Sequence, residues 1–373
     1  MKTHQRSIKI INVVGARPNF MKIAPLYRAY KHYANIKPVL VHTGQHYDYE
    51  MSGIFLKSLG IPTPDYNLGI GHGSHAVQTA QTMLGFEKIL LKEKPDLVLT
   101  VGDVNSTLAV ALTASKIGIK IAHVEAGLRS FDISMPEEIN RILTDHISDF
   151  LFVTEKAGVI NLMKENLPKN KIFVVGNTMI DNLKIFLPQI KQSTIIDQLS
   201  LTPKRFAVIT MHRPINVDSK KGLLSIAKAL AFVTKKIPIV FPVHPRTQQN
   251  IKKMGLSKRF NKIKGLKIIP PLAYFDLIKL ILESKMVMTD SGGIQAEAAY
   301  LKTPILTFRE STEHLSTIDC GANRLVDFKN RTNLMAALNW ATNVTPSAIK
   351  HIPYDDGGAS ERIIGTIVHK LNL

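Results

Sequence analysis

One cysteine, Cys320, in 373 residues leaves no intramolecular disulfide to form, and no Cys/His spacing has the pattern of a zinc site. Long apolar runs are missing as well. No stretch approaches the roughly 20 residues of a membrane span, and MKTHQRSIKIINVVG reaches a glycine and an arginine before it matches a signal peptide's apolar region. These absences exclude a disulfide-stapled scaffold and a structural metal, and they point to a cytoplasmic protein with no membrane partner. Acidic residues are also scarce, with 29 Asp and Glu against 48 Lys and Arg, for a formal charge of +19. Such an excess calls for an anionic partner or simply keeps a lysine-rich surface soluble. The densest stretch, Lys252 to Lys267, has seven basic residues, no acid and one aromatic, so it lacks the stacking residues of a single-strand nucleic-acid binder. A solvated face is the simpler reading, and no nucleic-acid partner is expected.

What is present is a chain of 45% hydrophobic and 21% charged residues, without the composition of disorder and long enough for two domains. Short β-branched runs alternate with amphipathic stretches, the pattern of parallel α/β layers. The first series of strands is expected at Ile8 to Val14, Val39 to His42, Leu97 to Val101, Ile121 to Val124, Leu151 to Val153 and Phe173 to Val175. A second follows the lysine-bearing stretch near Lys191 to Lys204, at Phe206 to Thr210, Ile239 to Val243, Leu266 to Ile269, Met286 to Thr289 and Ile305 to Phe308. The expected fold is α/β, with two Rossmann-like domains: residues 1–185, joined by a C-terminal helix at 358–373, and residues 186–357. In open α/β sheets ligands bind beyond the carboxyl ends of strands, so polar motifs directly after strands are the candidates.

After the first strand, Gly15-Ala16-Arg17-Pro18-Asn19-Phe20-Met21-Lys22 turns into a helix flanked by two cations, Arg17 and Lys22, suited to phosphate. It is neither a dinucleotide fingerprint nor a P-loop, and an ordinary βα turn with surface cations is the alternative. Gly69, Gly71 and Gly73 follow no strand and read as a flexible loop. Asp290-Ser291-Gly292-Gly293 follows another strand; its glycines let backbone N–H groups approach an anion at the positive end of a helix. Glu297, one turn on, can accept the hydroxyls of a ribose. The alternative for this turn is a plain connection with Asp290 or Ser291 as N-cap. Asp103, Glu125 and Glu137 sit at strand ends or a helix start, where an acid faces a cleft or caps a helix. Asp103 can instead cap the helix near Ser106, and Glu137 can pair with Arg141 at i,i+4. His212-Arg213 and His244-Pro245-Arg246 each follow a strand, where histidine beside arginine can bind or protonate a departing phosphate. His42, His46 and His123 read as structural or loop residues.

Together these motifs resemble the non-hydrolysing UDP-N-acetylglucosamine 2-epimerase family over nearly the whole chain. The resemblance rests on GARPNFMKIAPL, LVHTGQHYDYEMS, VGDVNSTLA, AHVEAGLRSFDISMPEEINR, VGNTMID, HRPINVD, FPVHPRT, TDSGGIQAE and ANRLV, in that order. It implies a glycosyltransferase-B-like pair of domains facing a cleft, a UDP-sugar substrate, a homodimer, no cofactor, and a place in surface polysaccharide synthesis. It also implies elimination of UDP with loss of the carbon 2 proton, then re-addition. By resemblance, Asp103, Glu125 and Glu137 are acid/base candidates and His212 contacts the departing phosphate. Arg17, Lys22, Arg213, Ser291, Gly292, Gly293, Glu297 and His314 hold the nucleotide. A second, regulatory binding of UDP-sugar is left open.

Two departures stand out. Many relatives read His-Arg-Arg-Glu-Asn where this chain has His212-Arg213-Pro214-Ile215-Asn216, and His314 occupies a position that is often arginine in TERP. A histidine there makes phosphate binding weaker or pH-dependent. Competing readings are a hydrolysing epimerase releasing free N-acetylmannosamine and UDP, a glycosyltransferase of the same two-domain type, and a basic nucleic-acid-binding module.

Overall fold

The computed structural model describes residues 7–44, 59–71 and 73–371, with Arg17 described by its backbone alone. His46 and most of the segment HTGQHYDYEMS therefore lie outside the described residues, as does the side chain of Arg17. The chain forms two compact units, Met1–Lys184 with Pro353–Leu373, and Ile185–Ile352.

In the first unit the strands are β1 (Ile8–Val14), β2 (Ile36–His42), β3 (Tyr66–Asn67), β4 (Leu97–Val101), β5 (Lys120–Ala126), β6 (Phe150–Val153) and β7 (Ile172–Val174). They lie in the order β3-β2-β1-β4-β5-β6-β7 with every neighbouring pair parallel. The near-continuous apolar composition of the inner strands follows from burial on both faces: all five residues of β4 are buried. On one face the helices His75–Glu93 and Asn105–Ile117 press Phe86, Ile89, Leu90, Val110 and Ala114 onto Ile11, Val13, Val98 and Ile121. The C-terminal helix Ala359–Lys370 belongs to this unit and packs against the helix Arg17–Ala29. Its start is fixed by buried Asp181, which accepts the Ala359 and Ser360 N–H groups at 3.1 and 2.7 Å.

The second unit repeats the plan with β8 (Ala207–Thr210), β9 (Ile239–Pro242), β10 (Leu266–Ile269), β11 (Met286–Thr289), β12 (Ile305–Thr307) and β13 (Asn323–Leu325), in the order β10-β9-β8-β11-β12-β13 and again parallel. The helices Lys220–Val233 and Arg331–Asn343 contribute Leu223, Ile226, Leu230, Leu334 and Leu338 to its core. The expected α/β class with two Rossmann-like units is thus present. Two strands escaped the sequence pattern, β3 and β13, because they are only two and three residues long and include Asn67, Asn323 and Arg324.

Both sheets reverse their winding direction at one place. Strand order departs in opposite directions from β1 and β4 in the first unit, and from β8 and β11 in the second. The connections leaving these pairs run to opposite faces of the sheet, which opens a crevice at their carboxyl ends where doubly wound sheets bind ligands. Among the described residues no helix is long and apolar enough to cross a membrane, and no three His, Cys, Asp or Glu side chains gather as around a metal ion.

Candidate active site

In the first unit the turn after β1 and the turn after β4 are stitched together by Asn19. Its Oδ1 accepts the backbone N–H groups of Gly15 and Ala16 at 3.3 and 2.9 Å, while its Nδ2 donates to the Val101 carbonyl at 3.0 Å. The next residue, Gly102, has φ +73°, and a Cβ there would sit 2.8 Å from Lys22 Nζ, so both conformation and space call for glycine. Lys22 reaches Glu125, with Nζ 2.5 Å from Oε2. Burial works against the lysine's charge, but Glu125 and then Asp103 outweigh it and hold its pKa above the usual value.

Glu125 occupies an irregularity in β5, whose register with β6 shifts between Val124 and Ala126. Its φ is +75°, left-handed backbone that costs a non-glycine residue about 1–3 kcal/mol and persists only where the surroundings impose it. Asp103 is held differently: Arg141 Nη2 lies 2.6 Å from its Oδ2, and Asn140 Nδ2 donates to its backbone carbonyl at 2.9 Å. It does not cap the following helix, whose N-cap position is Val104. Nor does Glu137 pair with Arg141. That guanidinium turns instead to Glu138, with Nη1 2.7 Å from Oε2, and Glu138 also accepts the Ser130 and Phe131 N–H groups at 2.9 and 2.8 Å. Glu137 is left half-buried in the first turn of the helix Pro136–Ile147. Carboxylate, ammonium and guanidinium groups therefore converge at the switch point of the first sheet.

In the second unit Asp290 is fully buried, and it faces the loop after β8 rather than acting as a helix cap. It accepts the N–H groups of His212 and Arg213 at 3.1 and 3.0 Å and the Asn216 side-chain amide at 3.0 Å. His212 Nδ1 lies 3.2 Å from Oδ1. Burial pushes the Asp290 pKa up, but His212, Asn216 and the Arg213 N–H more than offset it and bring it below the ordinary carboxylate value. The helix Gly292–Tyr300 starts at Ser291, whose side chain makes no capping bond. The first-turn N–H groups of that helix can therefore serve an anion. A Cβ on Gly292 would collide with the Glu313 carboxylate and lie 3.3 Å from His314 Nε2, so His314 borders the helix start. Glu313 faces Arg309 at 2.8 Å and Arg213 at 4.0 Å. One turn into the helix, Glu297 is buried, and its Oε1 accepts the Tyr274 hydroxyl at 2.7 Å. Burial raises its pKa to about 7, with the Tyr274 bond pulling the other way. The rings of His212 and His244 lie 5.4 Å apart. Burial, His212 and Arg246 depress the His244 pKa.

A sequence model described as UDP-N-acetylglucosamine 2-epimerase matches residues 28–368. The chain belongs to the UDP-N-acetylglucosamine 2-epimerase family. It is 48% identical to a UDP-N-acetylglucosamine 2-epimerase homolog of Methanococcus maripaludis over 86% of this chain and 88% of that one. It is 42% identical, over the same shares, to a UDP-2,3-diacetamido-2,3-dideoxy-D-glucuronate 2-epimerase of Pseudomonas aeruginosa. A crystal structure of the Methanocaldococcus jannaschii UDP-GlcNAc 2-epimerase in complex with UDP-GlcNAc and UDP is similar, with 40% identity, a TM-score of 0.89, and 97% and 100% of the two chains covered. The glycosyltransferase-B-like fold class expected from the sequence is shared with this epimerase structure.

Within the epimerase family pattern, Lys22, Asp103 and Glu125 come together in one unit, and His212, Arg213, Ser291, Gly292, Gly293, Glu297 and His314 gather in the other. Sequence reasoning missed Asn19, Glu138, Arg141, Tyr274 and Asp290 as the groups that hold these residues. Only the Glu138–Arg141 pair, at i,i+3 on one helix, left a readable signal. The departure Pro214-Ile215 is accommodated: Pro214 starts the short helix Pro214–Val217, Ile215 is 82% exposed, and Asn216 is held by Asp290.

Proposed function

We propose that this chain interconverts UDP-N-acetylglucosamine and UDP-N-acetylmannosamine by eliminating and re-adding UDP, as a non-hydrolysing epimerase supplying an activated sugar for surface polysaccharide. The observation that carries the reading is that both sheets present reactive side chains at their switch points. One offers carboxylates with a lysine and an arginine, the other a helix start without a side-chain cap, together with two histidines and an arginine. Carbon 2 has no neighbouring carbonyl, so its proton cannot leave alone at acceptable cost. As a carboxylate takes that proton, the C–H electron pair forms the carbon 1–carbon 2 double bond and UDP departs with the C1–O pair. Proton return to the opposite face, with attack of a UDP oxygen on carbon 1, completes the inversion. No oxidant is consumed.

Asp103, Glu125 and Glu137 are the proton carriers in this reading, with Glu125 placed by its ion pair with Lys22. His212 and Arg213 meet the departing diphosphate. The Ser291–Gly293 turn holds it through backbone N–H groups, His314 borders it, and Glu297 takes the ribose. Lys22, assigned to the nucleotide from sequence, is better used on Glu125, its ion-pair partner at 2.5 Å. Arg17 remains a nucleotide-binding candidate from its motif alone.

The same protein acts as a homodimer in this reading. Val77, Leu84 and Leu91 recur every seven residues on the helix His75–Glu93 and are exposed, as are Ile139 and Leu143 on Pro136–Ile147, so an apolar face awaits a copy. The substrate test is incubation in deuterated water followed by NMR. Deuterium at carbon 2 of intact UDP-sugar is expected; free N-acetylmannosamine with UDP would make the enzyme hydrolysing. The Pseudomonas aeruginosa relative supplies a second substrate to run alongside, the diacetamido-uronic acid nucleotide. Preference for that sugar would overturn the assignment of N-acetylglucosamine.

A further inference from the structure

Asp145 has no part in the chemistry above, yet it faces the chain on both sides of Glu125. Its Oδ1 lies 2.7 Å from His123 Nδ1, two residues before Glu125. Its Oδ2 accepts the Gly127 N–H at 3.0 Å, two residues after Glu125, and lies 2.8 Å from Arg129 Nη1. The second nitrogen of His123, Nε2, lies 2.8 Å from the carbonyl oxygen of Gly102, the residue before Asp103. The side chains of both Asp145 and His123 are fully buried. Burial alone pushes the Asp145 carboxyl up, but His123, Arg129 and the Gly127 N–H bring it below its ordinary value. His123 thus bridges the Asp145 carboxylate and the Gly102 carbonyl through its two ring nitrogens.

We propose that Asp145, acting through His123 and the Gly127 amide, is a positioning residue that holds Glu125 in its left-handed bulge and sets its place relative to Asp103. The proposal rests on Asp103 and Glu125 being acid/base residues. The physical need is plain. Side chains alternate along a strand, so if the bulge relaxed into regular β-structure, residues beyond it would shift by one place and Glu125 would swing away from Lys22. Among the described residues the Glu125 side chain is committed to Lys22 and does not hold its own backbone in place. The resistance comes from its neighbours at −2 and +2, both tied to one buried carboxylate that is itself anchored through Arg129, whose Nε and Nη2 each lie 2.7 Å from an oxygen of Glu165. The His123 bond to Gly102 extends the same anchor to the turn bearing Asp103. One buried group thus ties the backbone beneath two carboxylates that must stand at fixed places around a sugar ring.

The test uses the full-length protein with UDP-N-acetylglucosamine. In Asp145→Asn the side-chain amide presents donors where the carboxylate presented only acceptors, so one of the two flanks of Glu125 is released. Turnover is expected to fall about 100-fold, the scale of an ångström's misplacement of a reacting group. KM and UDP affinity should stay within about threefold, because His212, Arg213, the Ser291–Gly293 turn and Glu297 belong to the other unit and none of them touches Asp145 or His123. In nitrogen-15-labelled protein the His123 Nδ1 signal should shift, because its partner at 2.7 Å has changed. His123→Gln, which cannot bridge Asp145 and Gly102 in the same way, should give the same split, and the double variant should be no slower than the slower single one. Turnover within threefold of the unaltered enzyme in both variants would overturn the proposal. So would equal losses of turnover and UDP affinity, or additive losses in the double variant, either of which would make Asp145 a residue of the fold only. Glu125→Gln separates the two readings: if it retains full turnover, Glu125 is not an acid/base residue, whatever Asp145 does.

Discussion

Glu297 sits where a buried acid is least comfortable, and replacing it with glutamine should make the protein more stable while weakening its hold on substrate. The carboxyl is 3% exposed, and its pKa rises from 4.5 to about 7 because burial disfavours the charged form. Below pH 4.5 it is protonated in folded and unfolded chains alike and costs nothing. Between pH 4.5 and 7 the unfolded chain ionises first, so stability is lost as pH rises, and above pH 7 the full cost is present. At about 1.4 kcal/mol per pH unit, that cost is roughly 3 kcal/mol. Glutamine keeps an oxygen for the Tyr274 hydroxyl but has no charge to bury, so Glu297→Gln should raise Tm by several degrees at pH 8 and leave it unchanged at pH 4. If the carboxylate accepts ribose hydroxyls, the same change should weaken UDP-N-acetylglucosamine binding about 10- to 100-fold at pH 8, the worth of a hydrogen bond to a charged group. The ratio of unaltered to variant affinity should shrink as pH drops below 7. Thermal melts and titration calorimetry at pH 5, 6.5 and 8 read both effects. A Tm difference that does not change with pH would refute the buried-charge argument, and an affinity ratio near one at pH 8 would remove Glu297 from the ribose.

Asp290→Asn should lower both Tm and turnover, since the amide presents donors to the His212 and Arg213 N–H groups; retention of full turnover in a stable variant would show that His212 needs no such support. His314→Arg should lower KM for the UDP-sugar at pH 8 by placing a permanent charge beside the helix that starts at Gly292; an unchanged KM counts against His314 as a phosphate neighbour. Leu84→Glu with Leu91→Glu should convert a dimer to a monomer in analytical ultracentrifugation, because the two side chains are 66% and 59% exposed on one helix face. A variant that still sediments as a dimer would move the interface elsewhere.

The alternation of apolar runs and amphipathic helices carried the class of fold, because parallel strands buried on both faces leave an apolar imprint wherever they are long enough. Strands as short as Tyr66–Asn67 leave none. The motifs after the strands were legible for the same reason. Rossmann-like sheets bring ligands to their carboxyl ends, so GARPNFMK, VGDVNS, HRPIN and DSGG stand out in the sequence as candidate binding turns.

What each polar residue does within those turns was decided by partners far away along the chain. Asp290 reads as a helix cap or a ligand contact in sequence, but its partners are residues 212, 213 and 216, brought beside it by the pairing of β8 with β11. Glu137 and Glu138 are adjacent and chemically alike, and only the packing of their helix sends Glu138 inward to Arg141 while leaving Glu137 half-buried. His123 looks like an ordinary strand histidine until Asp145 and Gly102 are seen at its two nitrogens. Glu125 itself was marked from sequence by its place at a strand end. Its left-handed backbone was not, because that conformation costs free energy locally and exists only through pairing with the strands on either side and through anchors outside its own segment. Composition and periodicity report local preferences and burial, whereas a buried charge finds its partner only when the chain has closed around it.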